Sequence, residues 1–345
     1  FRRVLFRSVN ALSVIGSIGV FLNLCIVWFF KENTLVFALT LANLLACILT
    51  AVICIRKGVF PRRQSRTLQL QKQKSILQKG LYLFLYNSCF YFILISIRTI
   101  ISVNYTVEEF GYFTFSFTIA NAVMLLLDSF NTILFPKTID LMSSDDNKKK
   151  ADALEKMRVG YILTSHMLVY LAMICFPILV WFIPKYMPAL SSMNMIALAV
   201  LMNTNSYGYS NMLIAQNKEH KAGFISAVSL IVNIILGLGL AKILNVEYSY
   251  ITIAILVAYM ISSFLMAYEG DTILRREKSV SYTLKHFFPI RMFIPYMIAL
   301  IISCTQIEYL IFIPLLVFIM LNYKDLQFLK NIALKLIKEP EVIDV

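Results

Sequence analysis

The chain has 345 residues, with 32 Lys and Arg against 19 Asp and Glu (net charge +13), 59% hydrophobic residues and only 15% charged ones. With a mean hydropathy of +0.75, this lies outside the range of a soluble globular domain, where roughly a quarter of residues are charged. It describes an all-α, polytopic membrane protein.

In chain order, mostly apolar runs at 9–30, 35–55, 80–103, 111–135, 157–183, 190–215, 221–244, 248–268, 287–305 and 308–322 predict about 10 transmembrane helices. The first segment, from Phe1 to Ser8, enters a full span with neither an initiator Met nor a signal-peptidase site. It reads as the start of a fragment. A parent with a cytoplasmic N-terminus would have lost an even number of helices.

Taking 56–79 as cytoplasmic places 28 of the 32 basic residues on that side, in 1–8, 56–79, 136–158, 217–221, 268–291 and 323–345. The gaps on the other side hold Lys31 and Lys185 with Glu32, Glu108, Glu109, Glu247 and Glu308. The asymmetry predicts orientation and accounts for the net charge through attraction to anionic membrane lipids. Cations scattered over six segments, without interleaved aromatics on one face, argue against nucleic acid as a partner.

The chain divides into 1–55 (two spans), 56–79 (a basic cytoplasmic segment), 80–268 (six spans) and 269–345 (a terminal pair and tail). Segment 56–79 carries eight basic residues and no acidic one. It reads either as a solvated linker or as an amphipathic helix on the inner leaflet. Residues 147–157 have helical propensity and read as an interfacial helix leading into the fifth span. The predicted gaps on the outer side are short, which leaves no external domain for acceptor chemistry.

Cys25, Cys47, Cys54, Cys89, Cys175 and Cys304 all fall within spans without paired spacing, and read as packing residues. Three histidines without clustering predict no metal and no cofactor.

Ionisable groups inside spans are costly and are therefore candidate site residues. Arg98 lies roughly 7–8 Å from the outer end of its span at 1.5 Å per residue. It either snorkels or grips phosphate with its guanidinium. Asp128 lies roughly 25 Å below the outer end of its own span, too far in depth for a simple ion pair with Arg98. Asp128 is read as a coupling residue or a helix cap, and His166 as a proton site or a packing residue. Lys242, near a span end, can snorkel. The predicted span 190–215 contains nine consecutive residues without an aliphatic side chain, from Asn203 to Asn211. Lipid cannot solvate these groups, so Asn203, Asn205, Tyr207, Tyr209 and Asn211 must meet other helices or a hydrated cavity. Asn and Tyr suit sugar hydroxyls.

Val107–Ser116, with its Glu109-Phe-Gly-Tyr112 element, the helix closing on Pro136, the loop that follows, Tyr186–Ala189 and Asn211–Lys218 together resemble a known family over about 74–268. That family is the bacterial polysaccharide and O-antigen lipid flippases of the multidrug/oligosaccharidyl-lipid/polysaccharide exporter superfamily. The resemblance implies a parent of 12–14 helices in two lobes, with the first lobe incomplete here and 80–268 as the second. It implies a multi-pass protein of the bacterial inner (plasma) membrane that moves an undecaprenyl-pyrophosphate-linked oligosaccharide from the inner to the outer leaflet by alternating access. Polysaccharide polymerase or export machinery is the implied partner. Relatives carry an acidic residue before the basic one at the position of Arg98, whereas Ile97 precedes it here. The alternatives are a multidrug cation antiporter of the same fold, which would want acidic residues in the cavity, a membrane polysaccharide polymerase or ligase, and a non-transporting assembly protein.

Overall fold

The computed structural model describes residues 66–142, 147–275 and 280–327, with isolated helical positions between 41 and 52. The predicted spans 9–30 and 35–55 lie largely outside the described residues. The described chain is helical, without a strand. Six helical segments are long and apolar enough to cross a membrane: Gln73–Asn104, Val107–Leu127, Met157–Phe182, Pro184–Thr204, Glu219–Ile243 and Tyr248–Ile273. Each overlaps one of the predicted spans between 80 and 268, the fourth running Pro184–Thr204 instead of 190–215. The predicted span 287–305 becomes a shorter apolar helix, Ile290–Thr305, and in 308–322 the apolar helix has only nine residues.

Helix α1 (Arg66–Asn104) continues without interruption from the basic segment into the span, so 66–79 is helix and the first part of the span is polar. A two-residue turn leads to α2 (Val107–Met142). The start of α2 is a capping box: Thr106 N–H and Oγ1 donate to Glu109 Oε2 at 2.9 and 2.7 Å, and Glu109 N–H donates back to Thr106 Oγ1 at 3.3 Å. Two otherwise unpaired amides of the first turn are thereby satisfied. Glu109, part of the motif behind the family resemblance, thus has a local structural task.

Helix α3 (Asn147–Phe182) joins the polar stretch 147–157 to its span and tolerates Pro177. A 3-10 turn over Pro184–Ala189 leads into α4 (Leu190–Thr204). After a break comes α5 (Tyr209–Ala215). Asn217, with φ +55°, turns the chain, and Lys218 N–H closes on Leu213 O at 2.8 Å. Helix α6 (Glu219–Leu238) then ends in a π turn, Gly239–Ile243. Helices α7 (Thr252–Arg275), α8 (Val280–Phe287), α9 (Ile290–Thr305) and α10 (Ile313–Leu321) complete the described part.

Helix α4 is the axle of the bundle. Of its 15 residues 13 are buried, polar Ser192, Asn194 and Thr204 among them, and it packs on α2, α3, α7 and α9. Helix α1 closes against α6 through small residues. A Cβ on Gly223 would lie 2.9 Å from Tyr82 O, and one on Gly237 would lie 2.7 Å from Ile97 Cδ1. Between them Asn233 Nδ2 donates to Ile93 O and Ser96 Oγ at 2.9 and 2.8 Å. Close approach plus an interhelical amide bond is how helices associate where no hydrophobic drive separates helix from lipid.

The two ends of the bundle differ. Lys79, Arg158, Lys218 and Lys221 gather at one, the basic end, where Glu219, Glu269 and Asp271 accompany them. Glu108, Glu109 and Glu247 stand at the other, with Lys185.

Candidate functional site

The nine-residue polar segment does not form one continuous helix, as the predicted span 190–215 had it. Helix α4 stops at Thr204, and residues 205–208 form turns closed by Ser206 N–H to Asn203 O (3.2 Å) and Tyr207 N–H to Thr204 O (3.0 Å). Gly208 has φ +83°, a backbone conformation that a side chain would strain. The chain then resumes as α5. Polar side chains at consecutive positions offer the backbone alternative hydrogen bonds, which is the local reason for a break here. Within a membrane such a break survives only where protein or water satisfies the freed groups.

The segment presents two faces, divided as a period of 3.6 residues would divide it. Asn203, Thr204, Ser206, Tyr207, Ser210 and Asn211 line a cleft of about 100 Å³, closed on its other sides by Tyr86, Phe90, Met124, Leu127, Tyr161 and Val200. Tyr161 stacks on Tyr207 with centroids 4.0 Å apart, forming an aromatic wall. A smaller hollow adjoins through Tyr86, Phe90, Asn203 and Ser206, and includes Ser226, Tyr259 and Ser262. None of the described residues lining either space is acidic.

Asn205 and Tyr209 serve a different set of partners. The buried Arg158 of α3 donates from Nη1 to Tyr209 OH (2.9 Å) and from Nη2 to the Asn205 backbone carbonyl (3.1 Å). Its guanidinium carbon lies 4.3 Å from the Tyr209 ring centroid. Tyr209 OH donates to Asp271 Oδ1 (2.9 Å) on α7, and Thr283 Oγ1 of α8 donates to Asp271 Oδ2 (2.9 Å). All four side chains are at least nine-tenths buried. So of the five residues predicted to bind substrate in this segment, Asn203, Tyr207 and Asn211 share the cleft, and Asn205 and Tyr209 belong to a buried charge network behind it.

Arg98 stands apart from both. It is half-buried toward the end opposite the basic one, its guanidinium carbon 5.4 Å from the Phe110 ring centroid. Asp128 lies on α2, and its side chain is outside the described residues. His166 is fully buried, with Nδ1 3.1 Å from Tyr170 OH and its ring stacked on Phe318 at 5.6 Å. Asn205 is a polar neighbour, although His166 Nε2 and Asn205 Oδ1 each lack a hydrogen-bond partner of good geometry among the described residues. Lys242 is exposed at the end of α6.

Sequence reading missed Arg158, Asp271 and Thr283. Arg158 falls where the basic segment 136–158 overlaps the predicted span 157–183 and counts among the loop cations, and Asp271 lies three residues beyond a predicted span end. A usable signal was present: opposite charges, one on each of two spans, each within a turn of the apolar run and at the same end. No His, Cys, Asp and Glu cluster able to hold a metal occurs among the described residues.

A second cavity of about 140 Å³, lined in part by Ser191, Asn194, Glu247, Ser303 and Gln306, lies at the end opposite the basic one. Comparison with protein-family models, curated proteins and solved structures gives no match for the chain.

Proposed function

We propose that the chain is the translocating part of a flippase for lipid-linked oligosaccharide, with the basic end in the cytoplasm and the cleft holding the glycan during passage. The observation that carries this is the interruption of the most buried helix to present amides, hydroxyls and a stacked tyrosine pair to a cavity. Discontinuous helices that line a cavity mark substrate sites in transporters. Amide and hydroxyl groups pair with sugar hydroxyls, and tyrosine faces accept the apolar faces of pyranose rings. Arg98, away from the cleft, supplies a guanidinium for the phosphates where the lipid headgroup leaves toward the outer leaflet.

The test is export in the native membrane. The double variant Asn203→Ala/Asn211→Ala removes two hydrogen-bonding groups, each worth about 1 kcal/mol net, and lowers transport of the lipid-linked glycan roughly tenfold or more at unchanged abundance. Normal export at normal abundance rejects the reading.

A further inference from the structure

We infer that Arg158, Tyr209, Asp271 and Thr283 form a latch that holds the cleft shut toward the basic end, and that the broken segment couples the latch to the contents of the cleft. The inference rests on the cleft being a transport site, whatever its cargo.

The latch lies on the right side of the cleft. Arg158 precedes the wall residue Tyr161 by three residues on α3, roughly 4.5 Å farther toward the basic end. On α7, Ser263 donates to Asn203 O at the cleft (3.4 Å), and Asp271 follows eight residues later, roughly 12 Å nearer the basic end. Through these residues α3, α5, α7 and α8 are tied by buried hydrogen bonds.

The link is built to open. Within 4 Å no direct ion pair joins Arg158 to Asp271 among the described residues; a single hydroxyl, that of Tyr209, accepts from one and donates to the other. Tyr209 follows Gly208 directly, and its neighbours Tyr207, Ser210 and Asn211 line the cleft. Movement of the cleft wall is therefore transmitted over one or two residues to the hydroxyl joining the charges. The Tyr209 ring also sits in a tight seat: a Cβ on Gly270 would fall 2.2 Å from Tyr209 Cδ1. Such a fit favours discrete seated and unseated positions over graded shifts. Among the described residues Arg158 Nε has no hydrogen-bond partner, so the seated state leaves that buried donor unsatisfied by them.

Tyr209→Phe keeps the ring in its seat and deletes only the relaying hydroxyl. In the full protein, in membrane vesicles without added substrate, Ser210→Cys reports access to the cleft. Its modification by a membrane-impermeant maleimide applied at the basic face is read by mass spectrometry of that peptide. Tyr209→Phe raises the rate at least about tenfold, while Ser191→Cys in the opposite cavity, probed from its own face, is unchanged. Thr283→Val removes one outer hydrogen bond, gives a smaller rise of about twofold to fivefold, and decides the matter if Tyr209→Phe does not insert. An unchanged rate at position 210, or equal increases at 210 and 191, overturns the latch. Because no glycan is present, loss of the latch and loss of the oligosaccharide reading are separate results.

Discussion

The two ends of the bundle are joined by different chemistry. Away from the basic end the joints are neutral side chains donating to backbone carbonyls: Tyr105 to Val246, Tyr248 to Pro188, Tyr250 to Cys304, Ser116 to Ala189 and Ser191 to Ser303. At the basic end charge is added to neutral joints such as Asn322 to Arg291 O, in the Arg158–Tyr209–Asp271 relay and in the pairs of Lys79 with Glu219 and Lys221 with Glu269. A neutral donor on a carbonyl responds little to salt or to a charged ligand. Tyr105 shows how durable such a joint is, since burial and, next, the nearby Glu109 carboxylate raise its phenol above the ordinary range and keep it a donor. Charged joints can be exchanged for other charges. The contrast makes the basic end the one poised to open and the other end the fixed one in this conformation.

The largest effect expected at the basic end comes from Asp271→Ala. It leaves Arg158 buried without the carboxylate that its relay reaches, a loss of about 3–5 kcal/mol for an uncompensated buried charge. Thermal unfolding of the purified protein in detergent measures it. Adding Arg158→Met to Asp271→Ala should restore much of the stability, since the orphaned cation is then gone. If the double variant is no more stable than the single, the two charges are not coupled through Tyr209.

Between the two ends stands the break, and Gly208→Ala probes it with the next largest effect. At φ +83° a Cβ is strained, so a loss of roughly 1–3 kcal/mol follows. The cleft residues and Tyr209 both hang from this point. The variant should therefore change cleft access and stability together, read by cysteine labelling at position 210 alongside unfolding. A stability loss without altered labelling would confine Gly208 to a fold role.

Much of this was legible in the sequence, and the exceptions share a cause. The spans between 80 and 268 follow from hydropathy because twenty apolar residues have few fates other than crossing a bilayer. The polar run 203–211 announced itself as buried for the same reason. Its division into two faces was legible too, since at about 100° per residue Asn203, Tyr207 and Asn211 fall on one side of a helix and Asn205 and Tyr209 on the opposite side. Grouping Asn205 and Tyr209 with Asn203 as substrate-binding residues left that periodicity unused. Arg158 and Asp271 escaped notice because span ends are uncertain by a turn, and a turn separates a solvated loop cation from a buried one. His166 carries no mark in the sequence of the aromatic box formed by Tyr170 and Phe318, since Phe318 lies 152 positions away and only packing brings it close.

The smallest effects sharpen the contrast between neutral and charged joints most directly. Tyr248→Phe deletes one bond from a buried side chain to Pro188 O (2.6 Å) and costs about 1 kcal/mol, the net value of a neutral hydrogen bond. Lys221→Ala deletes a pair with Glu269 whose Lys side chain is 37% exposed, so it costs at most about 1 kcal/mol. Salt separates the two even where their magnitudes overlap. Raising ionic strength from about 0.01 to 1 M shortens the screening length from about 30 to 3 Å, which should erase the Lys221→Ala difference and leave the Tyr248→Phe difference intact. Unfolding midpoints of both variants across that series make the measurement. If Tyr248→Phe were the salt-sensitive one, the assignment of fixed and openable ends would have to be exchanged, because the neutral joint would then be responding to charge.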